Sequence, residues 1–165
     1  MSFDLRTFRD TLGLFVTGVT IITCRDEDGA PVGITANSFN SVSLDPPLVL
    51  WSVGLNAKSL DAFSIASAFA VHILRDDQAQ LSQAFAKSGT DKFAGLNIEP
   101  GLGEAPLLSD CAARLECSLH AKHPAGDHVL FIAEVKRLSS DPDSKPLVYH
   151  GGCYAALSDK PETIA

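Results

Sequence analysis

Short β-rich runs, separated by turn residues and only irregularly by helices, set the limits on what this 165-residue chain can fold into. The run VTIITC, from Val19, is β-branched and reads as a strand. Asp28-Gly29 is a hairpin signal, and the returning strand spans about Pro31 to Asn37. LVLWSV (48–53) is almost unbroken in apolar character, which predicts burial on both faces. FAVHIL (69–74) is a further strand. Two longer ones cover about 112–122 and 128–138, with Pro124, Gly126 and Asp127 at the turn between them. PLVYHGGCYAAL then gives one or two short strands broken at Gly151-Gly152.

Helices are few in this pattern. Leu5, Phe8, Leu12 and Phe15 recur at helical spacing over residues 4–16. Asn56 caps a second helix over 57–65 with Leu60, Phe63 and Ile65 partly inward, and Leu81 and Phe85 face inward on a third over 76–86. Residues 87–110, with SGTDKF and PGLGEAP, read as loops holding at most one helical turn. Strands and helices do not alternate, which disfavours a doubly wound parallel sheet. An antiparallel barrel, closing its own edges, suits the pattern. The expectation is a mainly β domain with a few short flanking helices, one domain over residues 1–165.

The net charge of −7 argues against a nucleic-acid or anionic membrane surface, both of which need a basic footprint. An anionic ligand would therefore need a local cluster of donors. The segment MSFDLRTFRDTLG lacks the layout of a signal peptide, and no apolar run approaches the ~20 residues of a membrane span. Cytoplasm is the expected location. Cys24, Cys111, Cys117 and Cys153 have no CxxC spacing and are expected to be reduced, buried thiols.

Four constellations could carry chemistry. TANSFNSVSLDPPLV (35–49) gathers Thr35, Asn37, Ser38, Asn40, Ser41 and Ser43, with Ala36 and Phe39 between them. Such a run can hold the edge of a heterocycle or a phosphate, although Ser and Asn serve ordinary turns equally well. In Asn56-Ala57-Lys58-Ser59, a helix N-terminus would add its unpaired N–H groups to a lysine charge and a hydroxyl, a phosphate site, or simply a capped helix with a solvated lysine. Gly126-Asp127-His128 puts a histidine after a turn, able to reach a cleft or to sit in solvent. Tyr149-His150-Gly151-Gly152 permits close backbone approach, or marks a bulge. His120 and His123 would face opposite ways on a strand, so no metal site is expected. Gly101-Leu102-Gly103 lacks a dinucleotide fingerprint's third glycine, and no P-loop or nucleophile motif is present. That absence points to borrowed chemistry, with a bound cofactor reacting and the protein positioning it.

At these residues the chain resembles the flavin reductase-like, FMN-binding split-barrel family, small reductases that supply reduced flavin to two-component monooxygenases. The resemblance runs from about Phe8 to Leu157. It is carried by TGVTIIT (17–23), DGAPVGITANSFNSVSLDPPLVL (28–50), NAKSLDAF (56–63), DKF (91–93), GDHVLFIAEV (126–135) and PLVYHGGCY (146–154). It implies a six-stranded antiparallel Greek-key split barrel and a homodimer with flavin near the subunit interface. Thr35, Ala36, Asn37 and Ser38 would line the isoalloxazine and ribityl chain, with Ser52 and Val53 beside them. Ser41, Lys58 and Ser59 would approach the ribityl or phosphate end, and Phe93 would pack near the ring. His128 matches the family's nicotinamide-side histidine, and Tyr149 or His150 would close the pocket. The implied activity is NAD(P)H-dependent reduction of FMN or FAD, with an oxygenase component as a partner. The alternative is a non-catalytic flavin-binding or electron-carrier protein of the same fold. The lack of an arginine cluster for a 2′-phosphate favours NADH over NADPH.

Overall fold

A computed structural model describes residues 3–89 and 91–158; the ends of the expected 1–165 domain, and Thr90 in the SGTDKF loop, lie outside the described residues. Strands dominate, all paired antiparallel. A seven-stranded sheet runs in the order β3-β2-β6-β9-β10-β5-β4. Its members are β2 (Thr20–Arg25), β3 (Pro31–Ala36), β4 (Asn40–Leu44), β5 (Pro47–Gly54), β6 (Ala68–Ile73), β9 (Ala113–Ala125) and β10 (His128–Ser140). A three-stranded sheet joins β1 (Thr17–Gly18), β11 (Val148–His150) and β12 (Cys153–Ala155), and β7 (Ile98–Pro100) pairs with β8 (Pro106–Leu108). The six-strand expectation is therefore corrected to seven in the main sheet, because the hydroxyl-rich run supplies β4 as a strand of its own. No helix among the described residues is long and apolar enough to cross a membrane.

The connection between β3 and β4 dictates the shape of the sheet. These strands are its two edges, and no ladder pairs them among the described residues. Laid flat, seven strands about 4.8 Å apart would separate the edges by roughly 29 Å. Yet only residues 37–39 lie between Ala36 and Asn40, four Cα steps that span at most about 14 Å. The sheet therefore rolls until its edges approach at this end. Ser38 fastens the connection, its Oγ accepting the Ser52 N–H of β5 at 3.1 Å.

The rolled sheet encloses an aromatic core. Trp51, Phe63, Phe69 and Phe131 are fully buried. Trp51 stacks on Phe131 with ring centroids 5.7 Å apart and meets Phe69 edge-on at 5.0 Å. β5 alternates, with Val49, Trp51 and Val53 buried and Leu48, Leu50 and Ser52 only half-buried. The expectation of burial on both faces is corrected accordingly: the apolar run belongs to an antiparallel sheet with one tightly packed face.

Among the described residues three α-helices flank the sheet. The first, α1 (Leu5–Leu12), is capped by Asp4, whose Oδ1 accepts the Thr7 N–H at 2.8 Å. It ends at Leu12, shorter than the 4–16 expected, and its apolar face is not buried: Leu5, Phe8 and Leu12, with Phe15 just beyond the helix, stay 44–73% exposed. α2 (Leu60–Ile65) starts later than expected and is capped at Ser59 rather than Asn56, because a turn closed by Ala57 N–H to Gly54 O takes up the preceding residues. α3 (Ala79–Ala86) follows a 3-10 turn at Asp76–Gln78, and its Phe85 is buried as expected. The β7–β8 hairpin was expected as loop. Its Gly/Pro-rich composition hides two three-residue strands, tied to the main sheet by Thr23 Oγ1 donating to Pro106 O at 2.5 Å.

Of the four cysteines, all free, Cys24 and Cys117 are buried and burial pushes both thiols up to about 12; Cys111 is half-buried and Cys153 exposed, so the expectation of burial fails for these two.

Candidate functional site

The open edge of β3 forms one wall of a groove of about 530 Å³. Along an antiparallel strand, side chains alternate between faces. Val32, Ile34 and Ala36 pack into the aromatic core, while Gly33 and Thr35 face α3. Gly33 leaves room there for Phe85 and Phe93, which meet edge-on at 5.0 Å; a Cβ on Gly33 would lie 2.6 Å from the Phe85 ring. The main chain alternates too: a residue's N–H and C=O point to the same side of the strand. Gly33 O accepts from Lys92 rather than from β2, so the N–H and C=O of Thr35 share that outward side.

Side-chain hydroxyls contribute less than the sequence implied. Thr35 Oγ1 donates to Ser82 O at 2.6 Å, so its proton is committed to α3. Ser38 is engaged with Ser52, as described above. Asn37 remains exposed at the groove. Beyond the seam, Ser52, Val53 and Gly54 of β5 form the floor, and the turn after β5 brings Lys58 and Ser59 to the rim. The Ser59 side chain makes no capping hydrogen bond to α2, which leaves its hydroxyl free for a ligand. With α2 only six residues long, positive character at this rim comes from Lys58 rather than from a helix dipole.

His128 also lines the groove. It opens β10 after the two-residue turn Gly126-Asp127, where Gly126 takes φ +63°, and it pairs with Gly54 in register. Pro124, expected in that turn, lies within β9. The imidazole lies beside Gly54 of β5; a Cβ there would sit 3.7 Å from His128 Nε2, an ordinary packing distance. The Asp127 carboxylate contacts His128 Nδ1 at 2.7 Å, and that hydrogen bond holds the Asp127 carboxyl below its ordinary range. Nδ1 is thus occupied and Nε2 is the nitrogen left for a ligand.

The groove brings together Thr35, Ala36, Asn37, Ser38, Ser52, Val53, Lys58, Ser59, Phe93 and His128. Three expected residues lie outside it. Ser41 is exposed on the edge strand β4. Tyr149 pairs with Thr17 in the small sheet, its ring 5.8 Å from Tyr154, and His150 is exposed at the β11–β12 turn. Tyr149 reaches the groove only through its neighbour: Tyr154 donates to Ser82 Oγ at 2.8 Å, and Ser82 O holds Thr35.

Lys92 was overlooked. It lies half-buried in the wall, Nζ donating to Gly33 O at 2.9 Å and Phe85 O at 2.7 Å, and burial lowers its pKa. The only signal in the sequence was its place between Asp91 and Phe93. One carbonyl it grips, Gly33 O, comes from a strand far off in sequence and the other, Phe85 O, from the end of α3, and no spacing rule reveals either.

The donor set fits a flat, polar-edged ring carrying a phosphate: an open strand edge for the ring, a cation and free hydroxyl at one rim, and an oriented imidazole in the same groove. The volume lies within the ~300–1,000 Å³ usual for nucleotide-sized ligands.

Residues 12–158 match the family model described as flavin reductase like domain. An FMN reductase (NADH) of Agrobacterium fabrum is 44% identical over 153 residues, covering 93% of this chain and 86% of its own. The reductase subunit HsaB of a flavin-dependent monooxygenase from Rhodococcus jostii is 39% identical, covering 94% and 80%. The NADH:FAD oxidoreductase SgcE6 of Streptomyces globisporus, solved with NAD and FAD fragments, superposes with a TM-score of 0.89 at 35% identity, covering 94% of both chains. Other matched relatives are longer, this chain spanning 43% and 54% of two of them.

Proposed function

Since this chain belongs to the flavin reductase like family, we propose that it is an NADH-dependent flavin reductase that delivers reduced flavin to a partner monooxygenase. The observation that carries this reading is the groove itself, where a free strand edge, the Lys58–Ser59 rim and His128 meet. Flavin, when bound, supplies the chemistry of accepting a hydride from the nicotinamide and passing electrons on.

The chain's own residues do the rest. The outward N–H of Thr35, with Asn37 and Ser38 following, faces the ring's polar edge and favours negative charge there. Lys58 and Ser59 would hold the phosphate, and Ser52 and Val53 would contact the ring. Phe93, braced on Phe85, bounds the ring's far side. His128, oriented by Asp127, presents Nε2 to the nicotinamide amide. By holding the flavin and the nicotinamide in one groove, these residues would supply rate through proximity. Ser41, Tyr149 and His150, outside the groove within one chain, are read as contributing from the subunit interface.

The rolled sheet with its unpaired β3–β4 seam is read as the family's Greek-key split barrel. We read the protein as a homodimer because the apolar face of α1 is uncovered, and light scattering should give twice the 17.5 kDa chain mass. The location is read as cytoplasmic, where fractionation should find the activity in the soluble pool.

The deciding experiment mixes purified protein with NADH or NADPH and riboflavin, FMN or FAD in a stopped-flow cell. NADH oxidation well above the protein-free rate is expected with at least one flavin. Binding of flavin with no turnover in any combination would leave a flavin carrier instead.

A further inference from the structure

Lys92 is a half-buried cation that no carboxylate among the described residues neutralises. Its partners are the carbonyls of Gly33 and Phe85, and among the described residues none of the ion pairs includes it. The carboxylate beside it in sequence, Asp91, also lines the groove but pairs with the main chain, its Oδ1 accepting the Phe93 N–H at 3.1 Å. In a chain with 20 acidic residues and 13 basic ones, a sheltered ammonium without a counter-charge is conspicuous. Taking a charge out of water is costly unless something compensates it. Two carbonyl dipoles compensate it in part, and an ammonium has a third N–H to give. Lys92 lines the groove, on the wall built from α3 and the loop that follows it.

The groove thus has two cationic points on different elements. Lys58 stands in the turn after β5, and Lys92 in the loop after α3. One phosphate satisfies the first. We propose that Lys92 is a second anion point, which takes the pyrophosphate of a dinucleotide, either the nicotinamide coenzyme or an adenine-bearing flavin. This rests on the flavin reductase reading above. It makes the groove a site for two anionic groups at once and assigns the α3 wall to the dinucleotide. Fastening the loop to β3 is then the means by which Lys92 is aimed.

The test measures binding, by calorimetry, for wild type and for the variants Lys92→Met, Lys92→Gln and Lys92→Arg. The ligands are riboflavin, FMN and FAD, then NAD⁺ and nicotinamide riboside on the flavin-loaded protein. For Lys92→Met and Lys92→Gln, FAD or NAD⁺ should weaken about tenfold or more, the scale of one charge-assisted hydrogen bond. FMN, riboflavin and nicotinamide riboside should change little, and Lys92→Arg should keep most of the affinity. Whichever dinucleotide loses affinity is the source of the pyrophosphate. Equal losses across charged and uncharged ligands would reduce Lys92 to a structural clamp and overturn the proposal, as would unchanged affinities throughout. A loss that distinguishes FMN from riboflavin and goes no further for the dinucleotides would also overturn it, by assigning Lys92 to the flavin phosphate. If neither neutral variant folds, the salt dependence of wild-type binding decides: the dinucleotide held by Lys92 must show a steeper dependence than FMN, and matching slopes refute it. Wild-type protein that binds neither nucleotide class would instead fail the functional reading, a distinct result.

Discussion

His72 makes the stability of this fold sensitive to acid in a way that can be calculated. The side chain is fully buried on β6. Its Nδ1 lies 3.0 Å from Ile21 O, and its Nε2 accepts the Leu108 N–H at 3.0 Å. Those partners require one neutral tautomer, with the proton on Nδ1. Burial, reinforced by the nearby Arg114 charge and opposed by the bond to Ile21, pushes the imidazole from 6.5 down to about 4. Between those values the unfolded chain takes up a proton that the folded chain refuses. Stability therefore falls as pH drops from about 6.5 to about 4, and this contribution is flat outside that window. At 1.36 kcal/mol per unit, the total is about 3 kcal/mol. The assay is urea unfolding at pH 7 and at pH 4.5, for wild type and His72→Gln. At pH 7 the variant should lose about 1–3 kcal/mol, because it leaves a buried donor or acceptor unmatched. Between the two pH values it should lose about 2–3 kcal/mol less than wild type. Carboxylate titration is common to both proteins and cancels in that difference. Parallel pH profiles would refute the assignment of His72 as the buried neutral base.

Two further predictions concern the groove. Lys58→Ala combined with Ser59→Ala should weaken FMN by about tenfold or more while leaving riboflavin nearly unchanged, the scale of a lost charge-assisted contact; equal losses measured by fluorescence titration would remove those residues from the phosphate. His128→Ala should raise the KM for NADH with flavin affinity unaltered, and Asp127→Asn should shift it the same way by less, since the amide still meets Nδ1 but no longer fixes the tautomer; steady-state kinetics beside flavin titration separate these outcomes from a general loss of the site.

Local patterning made much of the scaffold legible. The β-branched run at β2, the Asp28-Gly29 turn, and the long β9–β10 pair each declare themselves within a dozen residues. What lay hidden depends on contacts between distant segments. The β7–β8 strands are three residues each, too short for periodicity, and they exist because His72 and Thr23 bind them. Asn56 had the right chemistry for a cap, but the turn to Gly54 O moved the start of α2 to Leu60. Amphipathic spacing in α1 was read correctly as spacing; nothing in it says whether the apolar face meets its own sheet or solvent. The candidate site was legible where ligand-facing residues are contiguous, as in 35–38. It was misjudged where a hydroxyl serves the fold, as Thr35 serves α3, and where the key atoms are main-chain groups whose exposure follows from β3 being an edge.

The three residues joining β3 to β4 bear on how such a protein can diversify. Lengthening that link would relax the curl of the whole sheet, so the near side of the groove is locked in length and tolerates only exchanges of side chain. The opposite side, the loop after α3, is pinned to β3 at Lys92 and carries no such obligation elsewhere. New ligand preferences in proteins of this shape should accordingly arise by insertion and deletion around residues 87–97, while the link itself keeps its count.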